Sequence, residues 1–313
     1  MNQPLVSIII NNYNYGRYLG QAIDSALAQT YPNTEIIVVD DGSTDDSKEI
    51  IKSYGDKIIP VLKANGGQAS TFNAGFVASR GDISCFLDSD DMFLPTKVAE
   101  VVQVFHLYQE IDWCFHPLYS VQTDELETTI YQKITDSKSE PTYIEIDFRN
   151  ELKAGEQPKF VPQTSALTFS RTILQKILPL PEDQKTYVGD SYLAMAALSL
   201  SRGCLHSEKL SFYRLHGSNA YSNSQIAKQR ETFARLHIIT GYWLRTNYPE
   251  IARYTNVFFG KGLACFWLLG KTEERYKKFI KDYFSYLPIL EKLGLILRAS
   301  YYSTKSLLFK VLP

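Results

Sequence analysis

The sequence has no surplus of charge of either sign: 33 Lys and Arg stand against 34 Asp and Glu, a formal net charge of -1. Such a balance excludes a global field that would draw the chain to nucleic acid, so no nucleic-acid partner is expected and recognition must be local. Cysteine is scarce, and Cys85, Cys114, Cys204 and Cys265 lie too far apart to form a CxxC pair or a metal-ligand spacing. Buried, reduced thiols in a cytoplasmic setting are the expectation. No basic leader precedes the first apolar segment, because Met1-Asn2-Gln3-Pro4 runs straight into it, so a secretory signal is not expected. Long apolar runs are missing as well. Val257 to Gly270 is interrupted by Gly260, Lys261 and Gly262 and falls short of the roughly 20 apolar residues that cross a bilayer, so no transmembrane helix is expected. There is no internal repeat, no low-complexity segment and no glycine-rich, lysine-containing loop after the first strand.

What is present is a chain of 313 residues, 44% hydrophobic, long enough for one large domain or a domain with an appendage. Its first hundred residues alternate β-rich runs with helical spacing, the pattern of a parallel sheet covered by helices. Strands are expected at 5–10, 35–39, 57–62 and 83–87. Helices are expected over Leu19 to Leu27, Asp45 to Tyr54, Gln68 to Ser79 and beyond Pro95. Periodicity is weak from Gln122 to Pro158. Helical spacing returns at Arg171 to Ile177 and Asp190 to Leu200, Leu210 to Leu215 reads as a strand, and the chain is mainly helical from Ser224. A boundary is expected near Ser218 to Ser224, giving a catalytic domain over 1–220 and a helical extension over 221–313.

Open α/β sheets bind ligands beyond the carboxyl ends of their strands, which brings Asn11 to Tyr15, Asp40-Asp41 and Asp88-Ser89-Asp90-Asp91 to one edge. Three carboxylates at a strand end suit a hard divalent cation, Mg²⁺ or Mn²⁺, that keeps positions open for a diphosphate. A solvated acidic turn capping the next helix is the competing explanation. Asp40-Asp41-Gly42-Ser43 is equally open: ordinary turn chemistry accounts for it, or one carboxylate accepts from a nucleobase N–H while Tyr13 offers the base an aromatic surface.

Taken in order, Val6-Ser7-Ile8-Ile9-Ile10-Asn11-Asn12-Tyr13-Asn14, Glu35 to Asp45, Asn65-Gly66-Gly67, Asn73-Ala74-Gly75 and Phe86-Leu87-Asp88-Ser89-Asp90-Asp91 resemble the family 2 glycosyltransferases of GT-A fold. The likeness is strong over residues 5 to about 97, weaker to about 217 and absent beyond. It implies an α/β GT-A architecture, with a mixed, mostly parallel sheet flanked by helices and a helical C-terminal extension. It also implies an inverting transfer of sugar from a nucleotide-diphosphate donor, UDP-linked, to a hydroxyl acceptor in polysaccharide or cell-envelope glycan synthesis. By resemblance Asn11, Asn12, Tyr13, Asp41, Asn65, Asp88, Ser89 and Asp90 bind the nucleotide sugar. Asp90, Asp91 and His216 hold the metal, His216 through the YRxH-like run Tyr213-Arg214-Leu215-His216, in which Arg214 would meet phosphate. Asn11 departs from the family, many of whose members carry proline there.

The family's base is a carboxylate about a hundred residues after the acidic motif, which points to Asp190; the usual Glu before it is missing, and a helix N-cap is its structural alternative. Gln163, Thr164 and Ser165 fall where the acceptor pocket is expected. A nucleotidyltransferase and a non-catalytic nucleotide-sugar-binding protein are the competing functions. The tail from Phe284 to Pro313 carries Leu287, Leu290, Leu293, Leu297, Tyr301 and Leu308 with Lys292, Arg298, Lys305 and Lys310 between them. This basic amphipathic pattern suits peripheral contact with an anionic membrane that carries a lipid-linked acceptor, or packing against the catalytic domain or a second subunit.

Overall fold

A computed structural model of the protein describes residues 3–123, 141–160, 162–182, 189–217, 219, 226–270 and 274–309. The chain divides into two compact units, one of Met1–Asp147 with Phe160–His216, the other of Phe148–Lys159 with Gly217–Pro313. Residues 124–140 of the polar stretch expected to join strands and loops between Gln122 and Pro158 lie outside the described residues, as does most of the expected boundary at 218–224.

In the first unit β1 (Val6–Asn12), α1 (Gly16–Leu27), β2 (Thr34–Asp40), α2 (Ser47–Ser53), β3 (Ile59–Leu62), α3 (Gln68–Ala78) and β4 (Ile83–Asp88) follow in turn. A near-continuous run of branched residues makes β1 a central strand, buried on both faces and therefore dependent on helices above and below the sheet. Next come β5 (Met92–Phe93), α4 (Lys97–Leu107), β6 (Trp113–Phe115), β7 (Leu118–Gln122) and β8 (Tyr143–Ile146). After α5 (Arg149–Ala154), which belongs to the second unit, follow β9 (Leu167–Ser170), α6 (Arg171–Ile177), α7 (Gly189–Leu200), β10 (Gly203–His206) and β11 (Ser211–Leu215).

Among the described residues the main sheet runs β3-β2-β1-β4-β9-β6-β10-β8 and a small one β5-β11-β7. β3, β2, β1 and β4 are parallel, and their register sets Asn11 beside Asp88 and Asn12 beside Asp40 at the carboxyl edge. β9 is antiparallel to β4, so the turn preceding it, Thr164–Ala166, arrives at the same edge as Asp88. β11 pairs antiparallel with β5, just after the acidic cluster, and thereby carries Arg214 back alongside it.

One face of the sheet buries Ile8, Ile10, Val38 and Leu87 with Leu19, Ile23, Val98 and Val101 from the helices. The other face is aromatic: Phe72 of α3 meets Phe86 at 4.8 Å between ring centroids, and Phe86 meets Phe169 at 5.9 Å.

In the second unit α8 (Ile226–Asn247), α9 (Ala252–Leu269), α10 (Glu274–Tyr286) and α11 (Ile289–Phe309) surround a core in which Tyr283 stacks on Phe259 at 3.7 Å. The short segment 148–159 was expected within the first domain but packs here. Leu152 of α5 is fully buried, and the left-handed Gly155 (φ 87°) brings the backbone so close to Arg253 that a Cβ would lie 3.1 Å from the Arg253 Cβ. No described helix is long and apolar enough to cross a membrane.

Gly75 explains part of the Asn73-Ala74-Gly75 motif, since a Cβ there would sit 2.4 Å from Ile9 Cγ2 and 3.2 Å from Val39 Cγ2. Asn73 supplies the rest: its amide donates to the Leu180 carbonyl at 2.9 Å and accepts from the Leu180 N–H at 2.7 Å. Gly75→Ala is expected to cost about 1–3 kcal/mol by overpacking the α3–sheet contact. Urea unfolding with an unchanged midpoint would show that helix and sheet can part without strain.

Candidate active site

The acidic cluster is tied down from four directions. Asn11 Nδ2 donates to Asp88 Oδ1 at 2.7 Å. Ser165 Oγ accepts from the Asp88 N–H at 3.1 Å and donates to Asp91 Oδ2 at 2.6 Å, while the Arg214 N–H donates to Asp91 Oδ1 at 3.0 Å. The Arg214 guanidinium is turned inward: Nε donates to the Asp90 carbonyl at 2.7 Å, Nη2 to Gln21 Oε1 at 2.6 Å, and Cζ lies 4.6 Å from the centroid of the Tyr18 ring. As placed, Arg214 positions the Asp90 loop; the resemblance gave it a phosphate to meet. His216 Nε2 lies 3.0 Å from Asp90 Oδ2, with its ring held between Tyr18 at 4.9 Å and Tyr15 at 5.6 Å.

Oxygens of Asp88, Asp90 and Asp91 lie within 4.8 Å of one another. Burial, then the neighbouring Asp90, pushes the Asp88 carboxyl up to about 7, and the same two causes raise Asp91 well above the carboxylate range. Asp190, in the first turn of α7, joins this field. Its charge is among the causes that raise Asp88, and Thr164, whose Oγ1 accepts from Gln68 Nε2 at 3.2 Å, opposes the rise at both carboxyls. Burial raises Asp190 too, against the opposing Ser191 N–H, which donates to Oδ1 at 2.6 Å. Gly189 is what lets α7 approach this closely, since a Cβ there would sit 2.7 Å from Phe72 Cε2.

The nucleotide-side residues divide. Tyr13 is 46% exposed and open to a stacking ring, and Asn11 Oδ1 is a buried acceptor with no partner among the described residues. Asn12 Nδ2 donates to Asp40 Oδ1 at 2.9 Å and Ser43 Oγ at 3.2 Å, while its Oδ1 is likewise buried without a partner among the described residues. Asp41 is buried, its Oδ1 accepting from Lys63 Nζ at 2.6 Å and the Gly66 N–H at 2.8 Å, its Oδ2 from the Gly67 N–H at 2.7 Å. Asn65 lies in that same loop, partly buried, and Ser89 is buried with its N–H on the Asn11 carbonyl at 3.2 Å. Of the three residues expected on the acceptor side, Thr164 and Ser165 are buried against the carboxylates and Gln163 is exposed. Neither pattern nor motif marks Lys63, Tyr18 and Gln21, whereas Tyr15 falls within the Asn11 to Tyr15 stretch expected at this edge.

The residues present fit a hard divalent cation. The donors are carboxylate oxygens with one imidazole, and Asp88 and Asp90 keep uncommitted lone pairs. Asp91 has both oxygens engaged by protein donors and stands behind the other two.

Raised carboxyl values favour the protonated fold. Stability from Asp88 and Asp91 is therefore fully present below the unfolded value of about 4 and is lost as pH rises through the Asp88 value of about 7. In a chelating buffer the melting temperature is expected to fall between pH 4 and pH 7, less steeply in Asp88→Asn. Thermal scans with equal slopes for the two proteins would remove the repulsion from the account.

Comparison with known proteins fits this geometry. The model of Glycosyl transferase family 2 matches residues 7–178. An uncharacterized glycosyltransferase of Nostoc sp. is 36% identical over 230 residues, 72% of this chain and 69% of its own. The Escherichia coli UDP-Glc:alpha-D-GlcNAc-diphosphoundecaprenol beta-1,3-glucosyltransferase WfaP is 36% identical over 129 residues, 41% of this chain and 51% of that one. Against other relatives, such as uncharacterized glycosyltransferases of Rickettsia prowazekii and Rickettsia typhi, the chain covers 42% of their length. Among solved structures, S. aureus TarS 1-349 in complex with UDP-GlcNAc superposes with a TM-score of 0.57 at 15% identity, covering 88% of this chain and 78% of that one. The mannosyltransferase PcManGT of Pyrobaculum calidifontis with GDP-Man and Mn²⁺ gives 0.53 at 14%, covering 97% and 88%. These likenesses show the GT-A fold. With more than half the chain matched by the family and a relative aligned over most of its own length, the protein belongs to glycosyl transferase family 2.

Proposed function

We propose that the protein is a metal-dependent, inverting glycosyltransferase that moves a sugar from a UDP-linked donor to a hydroxyl of a glycan or lipid-linked glycan, in polysaccharide or cell-envelope synthesis. The observation that carries the reading is the start of α7, where Asp190 is buried and its charge is felt at Asp88; Gln68 ties this turn to the Thr164 turn, donating from Nε2 to Thr164 Oγ1 at 3.2 Å while its Oε1 would lie 3.0 Å from a Cβ at Gly189. The UDP preference draws support from the names of WfaP and the TarS complex, and the four free, buried cysteines suit a cytoplasmic setting.

In this reading Tyr13 stacks on the base, and Asp41, with acceptor capacity left on Oδ2, takes its N–H. Asn11 Oδ1 gains the partner it lacks from the donor. A divalent ion held by Asp88, Asp90 and His216, with Asp91 fixing the loop behind them, would neutralise charge developing on the departing diphosphate. Asp190 accepts the proton of the acceptor hydroxyl as its oxygen bonds to the anomeric carbon, and the bond from that carbon to the diphosphate oxygen breaks on the opposite side. A carboxyl raised by burial is suited to taking a proton near neutral pH.

Asp190→Asn is expected to lower kcat by roughly 10²–10⁴-fold with little change in donor affinity. Turnover at the wild-type rate would leave Asp190 a helix cap and move the base elsewhere. Asp90→Asn is expected to keep the fold yet lose metal-dependent donor binding in titration calorimetry with UDP-sugars; an unchanged heat would remove Asp90 from the metal site.

A further inference from the structure

Helix α11 carries two apolar faces, and the fold uses only one. Leu295, Ala299 and Ser306 are buried on the inner face; Leu295 Cδ1 would lie 3.4 Å from a Cβ at Gly260 of α9, and Ser303 Oγ donates to the Ala264 carbonyl at 3.4 Å. About half a turn away, Leu290, Leu293, Leu297, Tyr301 and Leu308 recur at helical spacing, Leu290 82% and Leu297 70% exposed, with Tyr286 leading into the stripe. Exposed apolar stripes of this length mark contact surfaces.

The charge beside the stripe is of one sign. Arg298 and Lys305 are exposed on its margin, and the sequence holds no acidic residue from Lys292 to Pro313. The acid at the start of the helix, Glu291, is already engaged by Arg245 at 3.2 Å and Asn256 at 2.9 Å. At the other end, where α9 and α11 run side by side from Gly260 against Ala299 to Ala264 against Ser303, Trp267 is 47% exposed. Amphipathic aromatics and cations bordering an apolar face are what an anionic bilayer interface selects. No described helix is apolar enough to cross a membrane, so such a helix would lie in the surface plane. A second copy of the stripe would bring like cations together without an acid to answer them.

We infer that the outward face of α11 docks on an anionic phospholipid surface, through the stripe Leu290, Leu293, Leu297 and Tyr301 and the cations Arg298 and Lys305. The transferase reading enters only in the consequence, which is that the chain meets a lipid-borne acceptor at that surface.

Flotation of the full chain with vesicles of phosphatidylcholine alone, or mixed with phosphatidylglycerol, tests this without metal or sugar nucleotide, so its failure leaves the transferase reading standing. The chain is expected to float with the anionic vesicles and not with the neutral ones. Arg298→Gln/Lys305→Gln is expected to weaken binding about 25-fold, each cation near an anionic surface being worth about fivefold. Leu293→Ser/Leu297→Ser is expected to weaken it more than about 10-fold. All four side chains are exposed, and circular dichroism of the variants checks the fold. Absence of flotation, undiminished binding by either variant, or a dimer in light scattering that the leucine variant splits, would each overturn the inference.

Discussion

Three carboxylates packed within 4.8 Å at the end of a buried strand cannot all be ionised without help. Two like charges 4 Å apart repel by about 4 kcal/mol at an effective dielectric near 20, whereas a hydrogen bond returns about 1 kcal/mol. Protein donors alone therefore do not balance the cluster, and a proton or a cation must. The surrounding architecture is explicable as the means of holding the group in this costly arrangement. The β1–β4 register supplies Asn11, the antiparallel entry of β9 supplies Ser165, and the β5–β11 pairing brings the Arg214 backbone. Each fixes one oxygen or one peptide of the loop, and none brings a full countercharge to the face where Asp88 and Asp90 keep lone pairs.

Much of this is legible in the sequence. Branched runs and helical spacing located β1 to β4 and their helices, and the acids at the end of β4 followed from the rule that parallel strands deliver ligands at their carboxyl ends. What could not be read depends on contacts distant in sequence. Ser165 reads as ordinary loop, and its bonds to Asp88 and Asp91 exist only because β9 runs antiparallel, a choice of topology. Arg214 looks like a phosphate ligand in the sequence; Tyr18 and Gln21 of α1 turn it inward, and no local pattern announces that pairing. Leu152 and Gly155 join the second unit through packing on helices a hundred residues later in the chain. Asp41 was marked by its motif, while Lys63, which neutralises it, sits in a stretch with no signature.

Fold and family fix the class of chemistry and leave its particulars to the site. A nucleotidyltransferase would also want a metal and a diphosphate. It would leave no clear task for Asp190, a buried carboxyl in the first turn of α7 whose charge is felt at Asp88. A protein that only bound nucleotide sugars would gain nothing from a carboxyl whose ionisation burial disfavours beside the acids, since its burial costs stability. Lys63 is committed to Asp41 and Arg214 to the Asp90 carbonyl and Gln21, which is why the charge of a leaving diphosphate falls to a divalent ion in this account.

The most direct test of that account is an electron paramagnetic resonance titration of the full chain with Mn²⁺, carried out with and without UDP. If the repulsion at Asp88 and Asp90 is the organising constraint, the free Mn²⁺ signal will be quenched at one equivalent, far more tightly with UDP present. Mn²⁺ binding that is absent, or that UDP does not strengthen, would contradict a metal and diphosphate site at the end of β4.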